Sequence, residues 1–318
     1  MSRRMQGDMK HYTFIDYATQ GYLALVALFI LLLHGDTVPA WQWLVTGHLI
    51  CLGLAHWVIV AHAARPTNRL LDFLRHFYPV LLYTAFYRET GELNQMLHHG
   101  YIDALFVRLD GWIFGFQPSI KLMDWFPYPL VSEIFYISYF SYYVMIVGVG
   151  LALYLRDRRQ FFHYVSVVSF VFYICYLIYI FTPVIGPRMF YRDFNGFTLP
   201  AALIPPGLTD VPESIQAGWF FQIMKWIYHY FEAYGSAFPS SHVAIALTTV
   251  YFSFKYLRRI RWLHLVVAIL LCLSTVYCRY HYAVDVLAGA ATAAILIPMG
   301  EWLYRRYGGN EATAAVAQ

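Results

Sequence analysis

The 318-residue chain is 60% hydrophobic and 19% aromatic but only 13% charged, where soluble domains carry about 25% charged residues. It has too little polar surface to cover a core in water, which excludes an ordinary soluble domain and makes lipid the expected solvent. A net charge of +4, with no basic tail and no nucleic-acid motif, excludes nucleic acid as a partner.

Eight apolar runs follow in chain order, at about 20–34, 41–63, 76–88, 133–155, 161–182, 242–257, 262–279 and 282–303. Several approach the ~20 residues that cross a bilayer. The first follows a basic start (Arg3, Arg4, Lys10) and precedes Val38-Pro39-Ala40, a weak cleavage-like site. It is read here as a first transmembrane helix and not as a signal peptide. The expected fold is all-α: a polytopic integral membrane helical bundle of about eight transmembrane helices with amphipathic interfacial helices. It forms one integrated membrane domain. Residues 1–130 supply N-terminal helices and an outer loop, 131–305 the core, and 306–318 a short tail.

Charge sets the expected orientation. With eight spans both termini share a side. That side collects Arg3, Arg4, Lys10, Arg65, Arg69, Arg75, Arg156, Arg158, Arg159, Lys255, Arg258, Arg259, Arg261, Arg305 and Arg306, or 15 of the 22 Lys and Arg. The positive-inside rule then places both termini in the cytoplasm.

Two long loops fall outside, 88–132 and 183–240. In the first, Ile102, Leu105, Phe106, Leu109 and Ile113 recur at helical spacing, with Asp103, Arg108 and Asp110 off the stripe. This predicts an amphipathic helix lying in the interface. The stretch "AGWFFQIMKWIYHYFEAY" of the second loop fits the same description. The alternative for both is ordinary packing over the bundle.

Three polar clusters fall on this outer side: "TPVIGPRMFYRD" (182–193), "GSAFPSSHVA" (235–244) and "CRYHYAVD" (278–285). A bundle brings helix ends to one depth, so three clusters at one face can form one pocket. In the third, His281 and Asp285 are one helical turn apart, so the carboxylate can fix the imidazole tautomer. The alternative is a structural pair holding two helix ends. Ser240 and Ser241 open a helix beside His242, where a first turn favours anions, or simply caps. Arg188 can grip a phosphate with two parallel hydrogen bonds, or snorkel at the interface, the fate expected of Arg192. Arg279 reads as a second clamp or as a charge at a helix end. The histidines at 48, 56, 62, 98 and 99 lack metal-site spacing. Cys51, Cys175, Cys272 and Cys278 match no zinc or disulfide framework.

In order and spacing, these clusters resemble the type 2 phosphatidic acid phosphatase superfamily. "FPSSHVA" matches its second motif, Pro-Ser-Gly-His, with Ser241 in the glycine place. "HYAVD" matches its third, and Arg188 takes the arginine of its first. The first motif's lysine falls at Phe181 and the third motif's arginine at Thr275. Both are therefore absent. The lead-in "STVYCRYHYAVD" and the stretch "LFVRLDGWIFGFQPS" are more similar to the inositol phosphorylceramide synthase branch, which belongs to sphingolipid metabolism. The resemblance implies a phosphatase core within 131–305 and a lipid phosphatase or phosphotransferase. His281 would be the nucleophile, Asp285 its partner and His242 the acid and base. Arg188, Arg279, Ser240 and Ser241 would bind phosphate, with no metal or other cofactor. The substrate would be an amphiphilic lipid phosphate or phospholipid, met at the periplasmic, luminal or extracellular face among membrane lipids. A transferase of a phospho-headgroup between lipids is the near alternative. A non-catalytic lipid-binding or transport protein is the distant one.

Overall fold

A computed structural model describes residues 9–307. Arg3, Arg4 and positions 308–318 of the expected tail lie outside the described residues. The described chain is helical, with no strand beyond two isolated bridges. In order, the longer helices are α1 (Phe14–Leu33), α2 (Trp41–Ala64), α3 (Arg69–Leu93), α4 (Asp103–Phe114), α5 (Pro118–Trp125) and α6 (Pro129–Arg156). They continue with α7 (Arg158–Phe181), α8 (Trp219–Phe231), α9 (Ser241–Tyr256), α10 (Arg261–Tyr277) and α11 (Ala283–Tyr307).

Five of them, α1, α2, α6, α7 and α11, are long and apolar enough to cross a membrane, which marks an integral membrane protein. The remaining three expected spans are helical but less clear-cut. The 76–88 run lies inside α3, whose 25 residues carry charge at both ends. The 242–257 and 262–279 runs become α9 and α10, of 16 and 17 residues. At 1.5 Å per residue these two reach only about 25 Å, short of a ~30 Å hydrocarbon core.

The chain forms two compact units. One comprises residues up to Phe86, Gly150–Ile174 and residues from Ile295 on; the other comprises Tyr87–Val149 and Cys175–Ala294. In the first, Asp16 at the start of α1 is fully buried. A carboxylate there needs partners, and it accepts from both terminal nitrogens of Arg75 (2.9 and 2.6 Å) and from the Tyr78 hydroxyl (2.6 Å). Arg158 at the start of α7 donates to Asp72 at 3.0 Å, and His163 lies 2.8 Å from Glu301 near the end of α11. The starts of α1, α3 and α7 and the end of α11 are thus tied together by polar contacts.

The second unit holds all the candidate site residues. Here α4 shows which of its faces is buried. Its buried face carries Asp103, Phe106, Val107 and Asp110, while Leu105 and Ile113 are exposed. The helix turns both aspartates inward, for a reason visible only in the site below. The helix α8 is amphipathic as its sequence suggests, with Met224 buried and Trp219, Trp226 and Tyr230 exposed.

Candidate active site

The three clusters meet, and backbone contacts set how they meet. Val184, just past α7, takes its place beside Ser236 in a short parallel bridge: its N–H donates to Gly235 (3.1 Å) and its carbonyl accepts from Ala237 (2.9 Å). Gly186 has φ +97°, and a Cβ there would stand 2.5 Å from the Tyr280 carbonyl oxygen. Only glycine lets the first cluster lie this close to the third. Gly289 of α11 packs on the start of α9 in the same way, where a Cβ would come within 2.5 Å of the Ser240 carbonyl.

The third cluster is shaped by how α10 ends. Arg279 N–H donates to Val276, and Tyr280 and His281 N–H groups both donate to Thr275. With Arg279 left-handed at φ +62°, this is a Schellman ending, with an arginine where glycine is usual. The Arg279 side chain runs away from the histidines. It donates to the Thr209 carbonyl (3.1 Å), lies 3.7 Å from Asp124 and covers the Tyr191 ring. The expected second clamp is therefore not brought to the site. Arg279 serves the turn and the neighbouring loops.

His281 is buried between two polar neighbours. Its Nδ1 is 3.4 Å from Asp285 Oδ2, and its Nε2 is 3.4 Å from His242 Nδ1. Asp285, itself fully buried, accepts from the Tyr282 N–H at 2.9 Å. Burial, reinforced by His242 and Arg188, pushes the His281 imidazole well below its ordinary pKa. The ring is neutral at pH 7, with a lone pair to offer. A charge-assisted contact to a phosphoryl oxygen takes about 2.8 Å. One such oxygen lodged between the two rings needs them further apart than they now stand.

His242 has a neighbour that its motif does not reveal. Tyr139 on α6 bonds His242 Nε2 at 3.0 Å and also bonds the Tyr228 hydroxyl. Arg188 pairs with Glu232, donates to the Ile185 carbonyl (3.2 Å) and lies over the Tyr228 and Tyr280 rings. Burial works against its charge, but Glu232 outweighs burial and the guanidinium pKa rises. Arg192 is exposed and more distant from Glu232, at 3.8 Å, as an interfacial arginine would be.

The serines behave differently from expectation. Ser240 caps α9 through its hydroxyl, which accepts from Val243 N–H at 3.4 Å. Its own N–H donates to the Asp285 carbonyl, and the Ser241 N–H donates to the Tyr179 hydroxyl, both at 3.1 Å. The two amides expected to hold phosphate are thus already engaged by the protein. They lock α9 to α11 and α7 instead.

Asp103 and Asp110, which lie off the apolar stripe of α4, complete the frame. Asp103 accepts from the Ile185 and Gly186 N–H groups (3.0 and 2.8 Å) and from the Tyr282 hydroxyl (3.0 Å). Asp110 accepts from the Ala283 and Val284 N–H groups (3.0 and 2.9 Å). Their seven-residue spacing, two helical turns, was the available signal. Among the described residues no three His, Cys, Asp or Glu converge as a metal site would require.

Comparison with curated proteins and with solved structures gives no match. The sequence profile of the PAP2 superfamily matches residues 104–299. That stretch is more than half of the chain; it takes in α4 from its second residue on, together with His242, His281, Asp285, Arg188, Arg279, Ser240 and Ser241. The chain therefore belongs to the PAP2 superfamily, a group of phosphatases and phosphotransferases.

Proposed function

We propose that this protein moves a phosphoryl or phospho-headgroup from an amphiphilic lipid phosphate through a phosphohistidine on His281. The observation that carries the reading is the placement of His281 between Asp285 and His242, with one ring nitrogen towards each. A proton on Nδ1, held towards the carboxylate, leaves the Nε2 lone pair for phosphorus. In the first step the Nε2–P bond forms and the P–O bond to the leaving group breaks. His242 gives its proton to the departing oxygen. In the second step His242 takes a proton from the acceptor hydroxyl, whose oxygen displaces the histidine. Arg188 supplies positive charge to the phosphoryl oxygens. Ser240 and Ser241 present the anion-favouring first turn of α9. With their amides engaged, the His242 N–H is the donor of that turn we assign to phosphate.

We place the site at the outer face, with eight spans and both termini cytoplasmic. The polar ties among the starts of α1, α3 and α7 and the end of α11 support this. Nine of the 15 basic residues counted for the cytoplasmic side lie at or next to those ends. The family match begins at 104, so we extend the functional core upstream of 131 to include α4.

Water as acceptor makes a phosphatase and a lipid or sugar hydroxyl a transferase. The transferase reading, in the manner of the inositol phosphorylceramide synthase branch, is favoured by Thr275. It stands where the phosphatase motif has an arginine, and Arg279 does not replace that charge. The test is purified protein in detergent with a panel of lipid phosphates and phospholipids, following phosphate release and new lipid products together. Turnover and an acid-labile phosphoenzyme are expected, both lost in His281→Ala and both insensitive to chelators. Full activity in His281→Ala would refute the phosphohistidine, and activity lost to chelation and restored by zinc would refute the metal-free mechanism.

A further inference from the structure

We propose that Asp103 and Asp110 are positioning residues for phosphoryl transfer: from one face of α4 they hold the Arg188 turn and the start of α11 in the alignment that the chemistry needs. The inference rests on the function proposed above. Both carboxylates are fully buried, a costly placement unless every oxygen is bonded. Here every oxygen is. Asp103 Oδ1 takes the Gly186 N–H and the Tyr282 hydroxyl, and Oδ2 takes the Ile185 N–H. Asp110 Oδ1 takes the Val284 N–H, and Oδ2 takes the Ala283 N–H.

All five donors belong to two segments, 185–186 and 282–284. The first leads into Arg188. The second lies between His281 and Asp285. The first amides of α11 have no intrahelical partner. They are met by Asp285 from within the helix, at Tyr282 N–H, and by Asp110 from another helix. Negative charge at a helix N-terminus is favourable, so an ionised Asp110 pins α11 where an amide would pin it less well. Asparagine can accept through one oxygen only and places an NH2 against a backbone N–H. Because Asp285 stands in that first turn, any drift of α11 changes the Asp285–His281 contact directly. A displacement of about 1 Å can cost on the order of a hundredfold in rate.

The two aspartates act on different segments, so they should leave different kinetic signatures. In purified full-length protein with a lipid substrate that the wild type turns over, Asp110→Asn is expected to lower kcat about tenfold to a hundredfold with little change in KM. Asp103→Asn, which loosens the Arg188 turn, is expected to raise KM as well. Arg108→Gln, on the exposed side of the same helix, should match the wild type. The decisive comparison is the double variant Asp110→Asn with Asp285→Asn. If Asp110 acts through Asp285, the double variant is no slower than Asp285→Asn alone. Losses that multiply, or wild-type kcat and KM in both single variants, would overturn the proposal. Should Asp110→Asn fail to fold, Asp110→Ser carries the same comparison, since its hydroxyl can still accept. His281→Ala run alongside separates the two readings: full activity there defeats the phosphohistidine, whatever the aspartate variants do.

Discussion

Replacing Asp285 by asparagine isolates the carboxylate's charge from its geometry. The Tyr282 N–H and His281 Nδ1 both face Asp285 Oδ2, while Oδ1 has no partner. Asparagine can put its carbonyl oxygen in the Oδ2 position and keep both contacts, so the imidazole tautomer survives. What is lost is the negative charge opposite a ring that, in the proposed mechanism, becomes cationic as its Nε2 bonds to phosphorus. At 3.4 Å and an effective dielectric of about 20, full unit charges interact by about 5 kcal/mol. With roughly half a charge developed at the transition state, about 2.5 kcal/mol remains, or nearly a hundredfold in rate at ~1.4 kcal/mol per decade. Full development would give between about a thousandfold and ten-thousandfold, the upper end matching the loss when a catalytic triad's aspartate becomes asparagine. Single-turnover formation of the phosphoenzyme should therefore slow by a hundredfold or more, while thermal unfolding stays near the wild type because the Tyr282 contact is kept. A variant that phosphorylates within about threefold of the wild-type rate would show that Asp285 only splints two helix ends.

Three further substitutions test the frame around this pair. Gly186→Ala forces a side chain into φ +97° and against the Tyr280 carbonyl; a strain of roughly 1–3 kcal/mol should push back the Arg188 turn and raise KM, and unchanged kinetics would refute the close approach. Tyr139→Phe removes the hydroxyl on His242 Nε2 and should lower kcat and displace the pH profile of the step His242 serves, with KM held; an unchanged profile would make Tyr139 a packing residue. Arg279→Gly relieves a left-handed arginine, worth about 1–2 kcal/mol, against a lost charged hydrogen bond of similar size. Stability and KM should both stay near wild type, and a large rise in KM would restore Arg279 as a phosphate clamp.

Much of this site is legible in the sequence because short-range spacing determines it. His281 and Asp285 are one turn apart by number alone, and Ser240 announces a helix start that the structure confirms with its cap. Arg188 was visible as a charge after Gly186-Pro187. The partner that balances it was not. Glu232 lies 44 positions later and meets it only through the fold. The same holds for Tyr139, one of 28 tyrosines in the chain, whose bond to His242 joins helices more than a hundred residues apart. For Arg279 the backbone decides where the side chain goes, and residue type does not reveal it. An arginine two positions before His281 suggests phosphate by residue type, whereas the left-handed turn brings its side chain to Thr209, Asp124 and Tyr191.

The orientation of α4 has a more general cause. An apolar stripe predicts the buried face only when burial is driven by removing apolar area from water. At a lipid interface that bias weakens, since exposed leucine and isoleucine cost little when the surroundings are themselves apolar. The face of α4 is then chosen by its polar residues. Two carboxylates at a seven-residue spacing meet five donors on the segments that carry Arg188, His281 and Asp285, and those bonds can be made only if the aspartates turn inward. Leu105 and Ile113 are left outward as a consequence. In α4, then, the paired acidic residues on one face mark the side turned to the protein interior, and the backbone they hold is that of the candidate site.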